Sequence, residues 1–120
     1  MEFKDLIGKT LKSVKNKDNE IIVFIDTDDR EYQLYHSQDC CESVYVEDII
    51  GDLDDLIGSE IIMAEEATSI ENPEDINDKT YQDSFTWTFY KLATVKGYVT
   101  IRWYGESNGY YSESVEFMEI

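Results

Sequence analysis

The chain has 120 residues, with 27 Asp and Glu against 10 Lys and Arg, and its formal net charge is −17. A chain of this length folds as one domain, and so negative a charge disfavours direct binding to DNA, RNA or anionic membranes, because their phosphates are repelled. No apolar run approaches the roughly 20 residues that span a bilayer, and the N-terminus lacks the apolar run of a signal peptide. We therefore predict a single cytoplasmic domain over residues 1–120.

Alternating apolar and polar residues predict an antiparallel fold built from hairpins. The predicted strands are, in chain order, 10–15, 20–26, 31–36, 60–68, 85–94, 98–104 and 111–117. Turns at 17–19, 27–29 and 96–97 join three pairs of them. A short helix is predicted at 52–56, and the acidic stretch 70–83, which holds the only Pro, is predicted to be a mobile loop. The predicted fold class is α+β to mainly β, with one or two short helices.

Two short strings occur twice in the chain. Asp-Leu-Ile-Gly stands at 5–8 and again at 55–58, and Glu-Ser-Val stands at 42–44 and again at 113–115. Each Asp-Leu-Ile-Gly string indicates a helical turn closed by a left-handed Gly. Either the strings match by chance in an acidic, Ile-rich chain, or the domain consists of two related halves.

The stretch 84–112 has the strongest alternation in the chain. We predict that the apolar residues of two adjacent strands are buried on one face: Phe85, Trp87, Phe89, Val99, Ile101 and Trp103. The opposite faces carry hydroxyls, rings and one guanidinium: Thr86, Thr88, Tyr90, Tyr98, Thr100, Arg102 and Tyr104. These side chains either bind a polar aromatic ligand or are ordinary residues of an exposed sheet face.

Residues 35–42 contain the only His, both Cys and two carboxylates. Neighbouring cysteines rarely satisfy disulfide geometry, so Cys40 and Cys41 are predicted to be reduced. They cannot readily both ligate one tetrahedral metal, and no metal site is predicted. Three interpretations of His36 remain: a base for a Cys nucleophile, a ligand contact together with Ser37, or a hydrogen-bonded residue at a strand end beside two small buried thiols.

The loop at 104–112 holds more Tyr and Ser than a turn requires. Its Asn-Gly pair supplies positive φ for a tight hairpin, whereas Tyr and Ser together are typical of recognition surfaces. The sequence contains no phosphate-binding Gly motif, nucleophile elbow or HExxH string. We therefore predict no catalytic residue, no enzymatic activity and no cofactor.

Two long strings, YHSQDCCESVYVEDI and SFTWTFYKLATVKGYVTIRWYGESNGYYSESV, resemble a family of small acidic proteins of unknown function encoded by tailed phages and prophages. The similarity spans nearly the whole chain. The resemblance supplies no catalytic motif. It implies a compact phage accessory protein that acts against its host, and some phage families of similar build sequester nucleotide signals of immune defence.

Two functions from different classes are consistent with these features. The first is a homo-oligomeric protein that sequesters a nucleotide-derived immune signal of the ADP-ribose or cyclic-nucleotide type, with a guanidinium for phosphate and rings for the base. Its predicted ligand-binding residues are His36, Ser37, Tyr90, Arg102, Trp103, Tyr104, Asn108, Tyr110, Tyr111 and Ser112. The second is an acidic inhibitor or nucleic-acid mimic that binds a host defence protein, and charge alone supports it.

Overall fold

Two four-stranded antiparallel sheets form the domain and share one hydrophobic core. The computed structural model describes residues 1–70, 84–109 and 111–120. Within these residues the strands are β1 (Leu11–Lys17), β2 (Ile21–Asp26), β3 (Glu31–Tyr35), β4 (Ser43–Ile50), β5 (Met63–Ser69), β6 (Ser84–Thr94), β7 (Gly97–Ser107) and β8 (Glu116–Glu119). The first sheet has the order β1-β2-β3-β8 and the second β4-β7-β6-β5. The mainly β prediction is confirmed.

Two short 3₁₀ helices, Phe3–Leu6 and Leu53–Leu56, are the only helices in the described part of the chain. The second begins after Asp52, whose side chain accepts a hydrogen bond from the Asp54 N–H at 2.9 Å. The predicted α+β helices are therefore wrong, because each helical turn ends within four residues and a Gly with positive φ soon follows it, Gly8 at 92° and Gly58 at 84°. No helix in the described residues is long and apolar enough to cross a membrane.

The order of elements repeats along the chain. In each half, a 3₁₀ helix is followed by a three-stranded antiparallel unit, β1-β2-β3 or β5-β6-β7, and then by a fourth strand. The fourth strand joins the sheet of the other half, so β4 pairs with β7 and β8 pairs with β3. The two glycines also make reciprocal contacts: Gly8 N–H donates to the carbonyl of Ile61 at 2.8 Å, and Gly58 N–H donates to that of Leu11 at 2.9 Å.

Two strands differ from the sequence prediction. β4 was not predicted, because a register shift between Val46 and Asp48 interrupts its alternation. β8 lies at Glu116–Glu119 and not at 111–117, since the residues before it form a segment without strand pairing. The loop predicted at 70–83 falls, after its first residue, on residues 71–83, which lie outside the described part of the chain.

The face of β6 that packs on the first sheet is the opposite of the one that the sequence predicts. The register pairs Trp87 with Tyr104 and Thr88 with Trp103, and directly paired residues share a face. The core-facing residues of β6 and β7 are Tyr90, Leu92, Val99, Ile101 and Trp103. Trp87 is buried on the outer face, and Phe85 and Phe89 there are only half-buried. The prediction of one apolar face is wrong because β6 carries large side chains on both faces, and alternation does not tell which face meets the other sheet.

Candidate functional site

Arg102, the residue predicted to bind a phosphate, is already paired with a carboxylate on the outer face of the second sheet. Its Nε donates to Glu47 Oε2 at 2.8 Å and its Nη2 donates to Glu47 Oε1 at 3.1 Å. The guanidinium carbon lies 5.4 Å from the centre of the Trp87 ring. Only 6% of the Arg102 side chain and 12% of the Glu47 side chain are exposed. A phosphate would therefore have to displace a buried, bidentate partner.

The two aromatic residues that follow Arg102 point to opposite faces of the sheet. Tyr104 lies on the outer face, 1% exposed, and its hydroxyl donates to Glu106 at 3.1 Å. Trp103 lies in the core with no exposed surface, and its Nε1 has no hydrogen-bond partner among the described residues. Because both rings are covered, neither offers an accessible face on which a base could stack in this conformation.

A buried carboxylate, Glu42, organises the segment between β3 and β4. It accepts hydrogen bonds from the N–H groups of Asp39 and Cys40, both at 2.9 Å, and lies 2.8 Å from His36 Nε2. The other ring nitrogen of His36 lies 2.7 Å from the carbonyl oxygen of Ser114. The hydrogen bond from the Cys40 N–H is the largest cause that lowers the pKa of Glu42, to about 2. His36 thus holds two chain segments together, which agrees with the hydrogen-bonded interpretation of this residue.

We expect this carboxylate to make the protein sensitive to acid. The folded-state pKa of Glu42, about 2, lies below its ordinary value of 4.5, so its stabilising effect is present above pH 4.5 and is lost as the pH falls towards 2. Urea denaturation of the wild type and of Glu42→Gln from pH 7 to pH 2 measures this. The difference in free energy of unfolding between the two proteins should shrink across that window. A difference that is constant with pH would contradict the role of the charge.

The oxidation state and the exposure of the two cysteines differ from the prediction. Cys40 and Cys41 are joined by a vicinal disulfide, not reduced, and both residues are exposed instead of buried. Their adjacent positions bring the sulfur atoms together in the turn that Glu42 fixes. In the described part of the chain, no group of His, Cys, Asp and Glu side chains is arranged to hold a metal ion.

A groove lies over the core-facing side of β5 and β6, near the edge of the second sheet, and residues from 111–117 border it. It consists of two cavities of about 540 Å³ and about 370 Å³, both of which are lined by Glu66 and Val115. Aromatic rings line the first cavity: Phe3 packs edge-on against Tyr90 at 4.7 Å and against Phe117 at 5.4 Å between ring centres. Hydroxyl groups line much of the second. We call the two cavities together the β5 groove.

Carboxylates dominate the charge of the β5 groove. Glu2, Glu65 and Glu66 line the first cavity, and Glu113 lines the second. The basic side chain among the lining residues is Lys4, whose Nζ lies 3.1 Å from a Glu2 carboxylate oxygen. The Tyr90 hydroxyl donates to Glu66 at 3.1 Å. Burial, followed by the charge of Glu66, raises the pKa of Tyr90, so this hydroxyl stays a neutral donor. The groove suits a cation better than an anion.

The structure does not gather the ten predicted ligand-binding residues in one place. His36, Ser37 and Ser112 line one cavity of about 250 Å³. Tyr90, Tyr111 and Ser112 line the β5 groove. Arg102 and Tyr104 lie on the outer face, Trp103 lies in the core, and Asn108 is exposed at the end of β7. Tyr110 lies outside the described residues. Their joint role in binding a ligand stays a prediction.

Sequence reasoning missed the acidic residues of the β5 groove, although a signal for one of them was present. Ala64 is buried and faces the core, and alternation places Glu66 on the same face, two residues later. The pairing register of β5 and β6 confirms that Glu66 lies on this face, because Glu66 pairs with the core-facing Tyr90. A carboxylate on a core-facing position indicates that the core is open to solvent there. Phe3 carried no comparable signal, since a single apolar residue near an N-terminus defines no period.

These features define a class of protein: a mainly β, two-sheet domain with exchanged strands and an acidic groove at one sheet edge. The family model described as Domain of unknown function (DUF7448) matches residues 4–117. The chain belongs to this family. No curated protein and no solved structure matches the chain.

Proposed function

We propose that this chain is a phage-encoded, non-enzymatic binding protein that acts in the host cytoplasm on a basic protein partner, as an acidic inhibitor of a host defence protein. The observation that carries the proposal is the acidity of the β5 groove, where four carboxylates face one already paired lysine. Over the rest of the described surface, exposed carboxylates far outnumber exposed Lys and Arg side chains. Such a field steers cationic partners towards the protein and raises their association rate.

The state of Arg102 favours a protein partner over a nucleotide. A phosphate needs a charge-assisted donor, and the guanidinium expected to supply one is bound to Glu47 at 2.8 Å. In the β5 groove a phosphate would lie beside Glu65 and Glu66 and would be repelled. A Lys or Arg side chain in the same place would be attracted.

Sequestration of a nucleotide-derived signal is a second candidate, and one observation favours it. The first cavity is lined by Phe3, Tyr90 and Phe117, and its volume is about 540 Å³. Small-molecule sites have volumes of roughly 300 to 1,000 Å³, and this cavity falls within that range. The Phe3 and Tyr90 rings are 3% and 1% exposed, so a base could pack only against the half-buried Phe117 ring. Its phosphates would have to point away from the carboxylates. This second candidate includes the predicted assembly of the chain into a homo-oligomer.

Native mass spectrometry and calorimetry distinguish the two candidates. We expect the protein, recovered from an extract of defence-activated bacteria, to retain another protein at low salt and to release it as salt rises. Calorimetric titration with ADP-ribose and with a cyclic dinucleotide should give no binding heat. A retained small molecule, or saturable heat with either nucleotide, would overturn the inhibitor proposal in favour of sequestration. The same spectrum gives the oligomeric state.

A further inference from the structure

We propose that the second cavity of the β5 groove binds a primary alkylammonium group, the head group of a lysine side chain or of a free polyamine. This inference goes beyond the proposed function, because it assigns a chemical group to one cavity whichever molecule carries that group. It depends on three observations: a buried hydroxyl without a partner, a carboxylate held in place by other hydroxyls, and the sign of the charge on the cavity wall.

The first observation is the hydroxyl of Thr88. This residue is 3% exposed, lies on the core-facing side of β6 opposite Trp103, and lines the second cavity. Within the described part of the chain, its hydroxyl makes no hydrogen bond. Buried hydroxyls are normally hydrogen-bonded, and an exception calls for an explanation. A ligand in the cavity that donates a hydrogen bond supplies the missing partner.

The second observation is the way in which Glu113 is held. Its two carboxylate oxygens accept hydrogen bonds from the hydroxyls of Thr86, at 2.8 Å, and Ser107, at 2.5 Å. Its backbone lies close to Gly105, where an added Cβ would be 2.8 Å from the Glu113 carbonyl oxygen, so glycine permits this approach. A carboxylate has about four acceptor sites, and these two bonds leave about half of them for a ligand.

The third observation is the charge of the cavity wall. Glu66 and Glu113 line it, and among the described residues no Lys, Arg or His does. Hydroxyl groups supply most of its other polar side chains: Thr68, Ser84, Thr86, Thr88, Tyr111, Ser112 and Ser114. Hydroxyl and carboxylate oxygens accept hydrogen bonds, and the carboxylates attract positive charge. The group that fits this wall is therefore a cation that donates hydrogen bonds.

An ammonium group suits this wall better than a guanidinium. A guanidinium binds a carboxylate best by two parallel hydrogen bonds, one to each oxygen, and both oxygens of Glu113 already accept a hydroxyl. An ammonium is a compact charge with three rotatable donors, so its hydrogen bonds can be divided between a carboxylate and hydroxyls. The apolar Val115 also lines the cavity and offers a contact for the methylene chain behind the ammonium.

NMR titration of the isotopically labelled chain tests the site, because it measures weak affinities and shows which amides respond. The probes are putrescine, a free diamine, and Nα-acetyl-lysine amide, a lysine side chain without other charges. We expect saturable shifts of amides within 84–88 and 111–115, and the tighter probe identifies the source of the group. The quaternary trimethylammonium form of each probe keeps the charge but has no N–H on its cation, and it should not bind. Equal affinity for the trimethylated form would overturn the proposal, because charge alone would then explain binding.

A single substitution tests the role of the unpartnered hydroxyl. Thr88→Val keeps the shape of the side chain and should weaken binding of the tighter probe by roughly tenfold, as expected for losing a hydrogen bond to a charged group. Its urea midpoint should not fall, because no hydrogen bond within the chain is lost. The matched control, Thr100→Val, makes the same change at a buried position on the outer face of β7, away from both cavities, and should bind like the wild type.

Wild-type affinity in Thr88→Val, or no saturable shift with either amine, would overturn the ammonium site. Neither result would affect the proposed function if the native mass spectrum shows a retained basic protein. A nucleotide in that spectrum and no basic protein would remove the proposed function, whatever the two amines do.

Discussion

Replacing Arg102 by Ala should lower the free energy of unfolding by about 3 to 5 kcal/mol, because Glu47 would be left without its partner in a largely buried position. The pair is bidentate, and 6% of the Arg102 side chain and 12% of the Glu47 side chain are exposed. The guanidinium also covers the Trp87 ring. Urea denaturation followed by tryptophan fluorescence measures the change. If Arg102 instead served to bind a phosphate, the variant would be stable and would have lost only its ligand.

A double variant separates the charge from the packing. Glu47→Gln combined with Arg102→Met keeps most of the side-chain volume and leaves no unpaired buried charge, so it should be more stable than Arg102→Ala alone. The second carboxylate near the guanidinium, Asp48 at 3.8 Å, is 52% exposed and stays solvated. If Arg102→Ala unfolds at the wild-type urea concentration, the ion pair does not stabilise the outer face. Arg102 would then again be a candidate for binding a phosphate.

Replacing Phe3 by Ala should also cost about 3 to 5 kcal/mol, the range for removing a buried Phe. Its ring is 3% exposed and contacts Phe24 and Phe117 from the first sheet and Tyr90 from the second. Phe3→Leu keeps most of the apolar contact and should cost clearly less. Thermal and urea denaturation of the two variants give the comparison. A loss below about 1 kcal/mol for Phe3→Ala would show that the site repacks after the ring is removed.

The hairpin of β6 and β7 illustrates what the sequence could predict. Its alternation predicted both strands and the turn between them, because a period of two is typical of a strand and is interrupted at the turn. The same period fixes which residues of one strand share a face. It could not give the orientation of β6, since Tyr90 and Leu92 on one face compete with Trp87 and Phe89 on the other. The first sheet decides between them by packing on Tyr90 and Leu92, and this is a contact between distant parts of the chain.

The candidate site was less predictable than the fold. The guanidinium of Arg102 is suited to binding a phosphate. The carboxylate that pairs with it, Glu47, lies far away in the sequence, in a strand that was not predicted. The β5 groove is likewise formed by residues from the two ends and the middle of the chain. Such a site follows only from the topology, because no local pattern records which strands become neighbours.

The exchanged fourth strands set an order for folding during synthesis. β8 completes the first sheet by pairing Tyr32 with Glu119 and Leu34 with Phe117, so β3 lacks this neighbour until residues 116–119 have left the ribosome. β4 must likewise wait for β7, which is made much later. Pairings between such distant residues slow folding because a long loop must close first. The two halves should therefore reach their native state together, once β8 has been made, and not one after the other.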